Sequence, residues 1–272
     1  MIRPLLGRVA VVTGAGQGLG LALCEQLALR GAKVVLSSRN ATETAAATQK
    51  LTEAGYEVHG VACDVSEREQ VDELGAQAVA RFGRIDIWIN NAGASAPYGP
   101  TRDVSESAFM NATSTIMRGT YFGSMTALRH LPRPQGVLVN LVGRGERTPV
   151  PLQNAYASAK AWVRNFTLAL SKEERSSGVC VIAFQPGLMD TRLVLSPEVL
   201  PGYEQDMRAL AVVLRLWGAP PTVAAEKLIA AIINRKRGRV SAHPWWWMFV
   251  GPLRILAGTR PVVSVRPERK GS

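Results

Sequence analysis

The sequence predicts an α/β fold, a doubly wound parallel sheet of about seven strands with helices on both faces. Short apolar runs of strand length alternate with longer stretches of helical periodicity through residues 1–242, the pattern of repeated βαβ units. The first of these runs leads straight into a glycine-rich turn and a helix. Later strands also end in polar or glycine-bearing turns, and an open parallel sheet binds its ligands beyond the carboxyl ends of its strands.

Each element can be justified in order. Arg8 to Thr13 reads as a buried strand, followed at once by Gly14-Ala-Gly-Gln-Gly-Leu-Gly20. A helix then runs from about Leu19 to Arg30, with Gly31 as its stop. Strand, glycine turn and helix form a dinucleotide site, because glycines let the backbone approach a pyrophosphate and the helix N-terminus offers free N–H groups. Lys33 to Ser37 is the second strand, ending in Ser38-Arg39-Asn40. A carboxylate here would bind an adenosine ribose hydroxyl, whereas an arginine favours a 2′-phosphate. No carboxylate lies between Val34 and Thr42 and Arg39 is present, so NADP(H) is expected over NAD(H). Thr42 to Ala54 is helical, and Glu57 to Ala62 is the third strand, ending at Cys63-Asp64-Val65. Ser66 with Glu69 reads as a capping box for a helix reaching Phe82. Arg84 to Ile89 is the fourth strand and leads into Asn90-Asn-Ala-Gly93; Asp103 to Leu131 is helical, in one piece or two. Gln135 to Val142 is the fifth strand, and the helix that follows the loop 144–153 reaches about Ser176. Val179 to Phe184 is the sixth strand, closing on Gln185-Pro-Gly187; Thr222 to Arg235 is a helix and Arg239 to Ala242 the seventh strand.

The stretch Asn154-Ala-Tyr-Ala-Ser-Ala-Lys160 carries the chemistry. On a helix Tyr156 and Lys160 share a face one turn apart. An ammonium beside a phenol favours the phenolate, which would make Tyr156 a usable proton donor and acceptor near neutral pH.

Composition restricts the alternatives. The apolar fraction of 47% is that of a globular protein. Three scattered cysteines, Cys24, Cys63 and Cys180, suit neither a disulfide framework nor a metal cluster and point to reduced thiols in the cytoplasm. The apolar start at Val9 belongs to a strand and not to a signal peptide. The net charge of +11 is concentrated late, at Arg235, Lys236, Arg237 and Arg239 and again from Arg254 onward. No nucleic-acid motif accompanies it, and the interleaved Trp245, Trp246 and Trp247 favour a membrane interface.

Four motifs occur together and in order: Thr13-Gly14-x-x-x-Gly18-x-Gly20, Asn90-Asn-Ala-Gly93, Tyr156-x-x-x-Lys160 and Pro186-Gly187. With them the sequence resembles the short-chain dehydrogenase/reductase family, whose fold is of the Rossmann type. The resemblance implies that Gly14, Gln17, Gly18, Leu19 and Gly20 line the pyrophosphate and that Ser38, Arg39 and Asn40 meet the adenosine ribose. It implies further that Asp64 and Val65 flank the adenine and that Asn91, Ala92 and Gly93 support the central strand and the cofactor. Tyr156 would be the acid/base, with Lys160 lowering its pKa and holding the nicotinamide ribose. Pro186, Gly187 and Thr191 would contact the carboxamide.

Two family positions depart from the pattern. The serine expected thirteen residues before the tyrosine is Gly143, and the asparagine of the long helix is Ile116. Losing one donor to a developing oxyanion costs about 10²–10³ in rate, so turnover is slowed but not forbidden. Arg144, Thr148 or Asn154 are candidate replacements. The Asn140-x-x-Gly143-x-Gly145 setting and the stretch Ile85 to Gly93 are similar to the chlorophyll b reductase branch.

Residues 188–219 form the substrate lid that the resemblance implies, rich in Leu, Val and Met. Such a lid suits a lipophilic substrate, or packing onto the core or a neighbouring subunit. Residues 243–272 are an aromatic and basic tail, too interrupted by Pro244, Pro252 and Arg254 to span a bilayer, which takes about 20 apolar residues. Its segment 243–260 is expected either to dock peripherally on a membrane or to pack on protein. The expected function is an NADPH-dependent oxidoreductase of a lipophilic carbonyl or alcohol, in a homo-oligomer. The alternative is a catalytically weak NADP(H)-binding partner or sensor at a membrane surface.

Overall fold

The computed structural model describes residues 3–189, 191, 195 and 197–243, apart from the side chains of 207–211 and 215. Seven parallel strands form one sheet in the order β3-β2-β1-β4-β5-β6-β7. They are β1 (Val9–Thr13), β2 (Lys33–Ser38), β3 (Val58–Ala62), β4 (Ile87–Asn90), β5 (Val137–Leu141), β6 (Cys180–Gln185) and β7 (Gly238–Ser241). The helices are α1 (Gly18–Leu29), α2 (Ala41–Glu53), α3 (Arg68–Phe82), α4 (Glu106–His130), α5 (Asn154–Glu173), α6 (Asp206–Trp217) and α7 (Pro221–Ile233). The doubly wound Rossmann-type arrangement expected from the sequence is therefore present. Strand order reverses between β1 and β4, and the carboxyl ends of these two strands open the crevice in which such sheets bind ligands.

Strand side chains alternate between two apolar layers. Ala10 and Val12, Val34 and Leu36, Ile87 and Ile89, and Ile182 and Phe184 face one layer, closed by α1 and α7 through Leu23, Leu27, Leu228 and Ile232. Val11, Val35, Trp88, Leu138 and Val181 face the other, where Val71 and Leu74 of α3 and Ala127 of α4 cover them. Burial on both faces explains why the strands read as continuous apolar runs.

A polar network crosses the second layer. Trp88 Nε1 donates to Asn90 Oδ1 at 2.8 Å, Asn90 Nδ2 to Asn140 Oδ1 at 2.8 Å, and Asn140 Nδ2 to Thr167 Oγ1 at 3.0 Å. It ties β4 to β5 and to α5, just below the strand ends that carry the site. Buried amides are retained at low cost only when they are satisfied in this way.

The start of α3 differs from expectation. Ser66 does not cap α3, because Asp64 Oδ1 accepts from both its N–H (2.9 Å) and its hydroxyl (2.7 Å), an Asx turn that uses up the side chain. The helix begins two residues later behind Glu67, with no side-chain cap. The long helical stretch divides into a 3-10 turn, Thr101–Asp103, and α4, which Ser105 caps by accepting from Ala108 N–H at 3.3 Å.

The basic cluster at 235–239 is also used internally. Arg235 donates to the carbonyls of Gln135 (2.6 Å), Pro134 (2.6 Å) and Gly178 (2.8 Å). Arg239 pairs with the buried Glu146. These cations tie β7 and the end of α7 to the loops around β5 and β6. Among the described residues no helix is long and apolar enough to cross a membrane. The tail beyond His243, with its tryptophans, lies outside the described residues.

Candidate active site

The glycine turn is held from behind by the fourth strand. Thr13 Oγ1 accepts from the N–H groups of Asn91 (3.1 Å) and Ala92 (3.2 Å), while Asn91 Nδ2 donates to the carbonyls of Thr13 and Gly14, both at 2.9 Å. The Asn91 side chain is thus committed to shaping the turn. Gly18 has φ +58°, in the region that favours glycine. A Cβ on Gly20 would collide with the Gly14 carbonyl and lie 2.7 Å from Asn91 Nδ2. The backbone can fold this tightly over α1 only without side chains at these positions.

Beyond the turn lies a cavity of about 440 Å³. Gly14, Gln17, Gly18, Leu19 and Gly20 form one wall, and Ser38, Arg39, Asn40, Asp64 and Val65 form the next. Asn91, Ala92 and Gly93 form its floor with Tyr156, Lys160, Pro186 and Thr191. Thr191 stands over the glycine turn, its Cγ2 3.5 Å from where a Gly18 side chain would begin.

Gly187 is the exception among the sequence-predicted residues. It does not line the cavity, because the imidazole of His243 occupies the space where its Cβ would lie. With φ +83° Gly187 makes the turn after β6, and the contact comes from a residue 56 positions later.

The adenosine wall is organised by capping. Asn40 Oδ1 accepts from Thr42 N–H (2.9 Å) and Glu43 N–H (3.1 Å), and the Ser38 hydroxyl donates to Asn40 O at 3.0 Å. Both side chains therefore serve the start of α2. Arg39 is the exposed cation of this wall, 3.8 Å from Asp64. Burial pushes the Asp64 carboxyl up, but hydrogen bonds from Ser66 and the nearby Arg39 and Arg118 outweigh it and hold the group below its ordinary value.

Sequence reasoning missed Glu43, which lines the same cavity, its Oε2 3.3 Å from where a Gly16 side chain would start. It sits just past the window searched for a carboxylate, and its contact with Gly16 is tertiary. Thr115 and Met189 also line the cavity and carried no local signal.

At the other end Tyr156 and Lys160 share one face of α5, as their spacing requires. Lys160 is buried, donates from Nζ to Leu141 O at 2.7 Å and lies 5.7 Å from the Tyr156 ring centroid. Burial pushes its pKa down to about 8. Burial also pushes the Tyr156 phenol up, to about 12. The expected lowering of the phenol pKa is thus not found: burial raises it, and the Lys160 ammonium gives its hydrogen bond to the Leu141 carbonyl. With its pKa raised, the tyrosine is protonated at neutral pH.

Tyr156 also walls a second, small cavity of about 20 Å³, shared with Ser95, Thr101, Phe109, Leu152 and Asn154. Of the candidate replacements for the missing serine, Asn154 is at this cavity, with Nδ2 donating to Thr101 Oγ1 at 3.2 Å. Arg144 and Thr148 line neither cavity. Tyr98 and Gly99 meet residues 198–200 here, with Tyr98 N–H donating to Glu198 O at 2.8 Å and Leu200 N–H to Tyr98 O at 2.9 Å.

The chain belongs to the short-chain dehydrogenase/reductase family, the family model for short chain dehydrogenase matching residues 8–197. It is 34% identical over 197 residues to the uncharacterized oxidoreductase YxnA of Bacillus subtilis, which covers 70% of this chain and 54% of YxnA. The chain thus spans about half the length of that relative. It is 33% identical over 232 residues to 3beta-hydroxysteroid dehydrogenase 1 of Eggerthella lenta, covering 83% of this chain and 87% of the relative. The crystal structure of 3-ketoacyl-(acyl-carrier-protein) reductase from Brucella melitensis complexed with NADH superposes with a TM-score of 0.76 at 25% identity, covering 87% of this chain and 97% of that one. Members of the family are oxidoreductases of alcohol and ketone groups, and the Brucella reductase structure holds NADH; the large cavity is the candidate site for such a cofactor. The residues present fit that cofactor: the glycine turn leaves room along its backbone, and the cavity continues to a tyrosine proton donor.

Proposed function

We propose that the protein is an NADPH-dependent reductase of a lipophilic carbonyl compound. The observation that carries this reading is Tyr156, which forms a wall common to the dinucleotide cavity and the small cavity beside it. The bound cofactor supplies the hydride to the carbonyl carbon. The Tyr156 hydroxyl gives its proton to the carbonyl oxygen, and its raised pKa keeps that proton available at neutral pH, which favours the reductive direction. Lys160 holds its place beneath the ring through Leu141 O, and its lowered pKa suits it to return a proton to the tyrosine.

Arg39, exposed at the adenosine wall, supports the choice of the 2′-phosphate cofactor. Glu43 works against it, since a carboxylate repels a phosphate and accepts from a ribose hydroxyl. The NADH held by the Brucella reductase structure is a reminder that the family uses both forms. Fluorescence titration with NADPH and NADH decides the matter, and tighter NADH binding overturns the Arg39 argument. The lipophilic substrate is supported by the steroid dehydrogenase relative and by Val212 and Val213 of α6, which stand 55% and 40% exposed. An NADPH-oxidation assay over steroid and long-chain ketones tests it, and turnover confined to small polar ketones refutes it.

Peripheral membrane docking through residues 243–260 is a separate proposal, resting on the tryptophans and arginines of the tail. Co-sedimentation with anionic liposomes, compared before and after truncation at Ala242, tests it; equal binding by both forms refutes it.

A further inference from the structure

Of the two departures from the family pattern, Gly143 lies against the Tyr156 hydroxyl, and Ile116 belongs to the apolar cluster on which Tyr156 packs. A Cβ on Gly143 would lie 2.5 Å from the Tyr156 hydroxyl oxygen, 3.3 Å from Cζ and 3.4 Å from Lys160 Cγ. Real side chains do not approach so closely, so the phenol hydroxyl fills the volume in which a side chain at 143 would start. Gly143 is not among the residues of positive φ, and its backbone is open to any residue. Gly145, two positions on, does need a positive φ (+91°). What glycine provides at 143 is space.

Ile116 completes the bed. It is fully buried and packs with Val142, Ala159 and Val163, against which Tyr156 also rests. A large apolar side chain at 116 and none at 143 are therefore compatible changes, one filling the cluster on which Tyr156 packs and the other leaving room for its hydroxyl. An asparagine at 116 would place an amide in this apolar cluster, where an unsatisfied polar group costs about 1–3 kcal/mol.

We infer that Gly143 is a positioning residue for Tyr156, and that this reactive end is built around a glycine instead of being a serine site with one part missing. The substrate oxygen meets the phenol as the hydroxyl donor of this corner, with no side chain at 143 to share it. Only the effect on turnover rests on the reductase reading above; the packing is independent of any substrate.

A double-mutant cycle tests the packing. Gly143→Ala in the natural background is expected to lower Tm by about 3–6 °C, the response of a chain this size to mild overpacking. In a Tyr156→Phe background the hydroxyl is gone, the nearest atom is Cζ at 3.3 Å, and the same substitution is expected to shift Tm by less than about 1 °C. Equal shifts in the two backgrounds overturn the inference. If Gly143→Ala alone does not fold, Tyr156→Phe must rescue it, and failure of both variants to fold also overturns it. For turnover, Gly143→Ser is expected to lower kcat at least about 10-fold with the cofactor KM little changed. A serine that raises turnover overturns the inference. Absence of turnover in the natural protein would count against the reductase reading and leave the Tm cycle to decide this one.

Discussion

The two ends of the large cavity were built under different rules. At the nucleotide end the motif residues stand where the family pattern puts them, and a web of short backbone contacts leaves little freedom: Thr13, Gly14, Gly20 and Asn91 fix one another. At the reactive end two of the usual polar groups are gone, and an apolar bed of Ile116, Val142 and Ala159 supports a half-buried, protonated tyrosine. The first end carries the glycine motif of the family, so its shape follows from that shared pattern. The second has been reshaped around one side chain, where only the substrate sets the demands. Motif matching therefore reads the first end well and the second poorly.

The sharpest way to break the nucleotide end is Gly20→Ala. Its methyl group would strike the Gly14 carbonyl and the Asn91 amide, so dinucleotide binding is expected to weaken more than about 100-fold, with stability lowered by about 1–3 kcal/mol. Cofactor fluorescence titration and thermal melts check both. The support beneath the two ends is tested next by Asn140→Ala. It removes the nearest acceptor of the Asn90 amide and the amide donor to Thr167, and is expected to cost about 2–3 kcal/mol in denaturant unfolding. Arg39→Ala is smaller: NADPH is expected to bind about 10-fold more weakly while NADH is little affected, because an exposed charge pair contributes modestly.

A pH dependence is expected at the reactive end as well. Lys160 titrates near 8 when folded against 10.5 ordinarily, so between these values the unfolded chain holds more protons and this contribution to stability rises with pH. Tyr156 titrates near 12 against 10.0, so its contribution falls above pH 10. From pH 8 to 10 the natural protein is therefore expected to gain up to about 2 kcal/mol relative to Lys160→Met, measured by urea unfolding. A flat difference would mean that Lys160 is not desolvated.

Much of the fold was legible because its cues are local. Two-sided burial makes β1, β2 and β5 continuous apolar runs, and Gly31 and Gly83 stop their helices where the periodicity ends. Nearly all the predicted cofactor residues line one cavity, because strand ends converge at the switch point between β1 and β4. What was not legible depends on residues far apart in the chain. His243 covers Gly187, Glu43 reaches Gly16, and Arg239 is neutralised by Glu146. The Tyr156 pKa was misjudged for the same reason, since helical spacing shows the lysine but not the burial of the phenol. Ser66 was misread because Asp64, two residues earlier, competes for its hydroxyl.

The central claim, a conventional nucleotide end joined to a reactive end that depends on one phenol, is tested most directly by Tyr156→Phe. NADPH affinity and NADPH oxidation are to be measured on the same preparation with a ketone that the natural protein reduces. The variant is expected to bind NADPH within about 2-fold of the natural protein and to lose about 10²–10⁴ in turnover. Turnover that survives the loss of the hydroxyl would contradict the account.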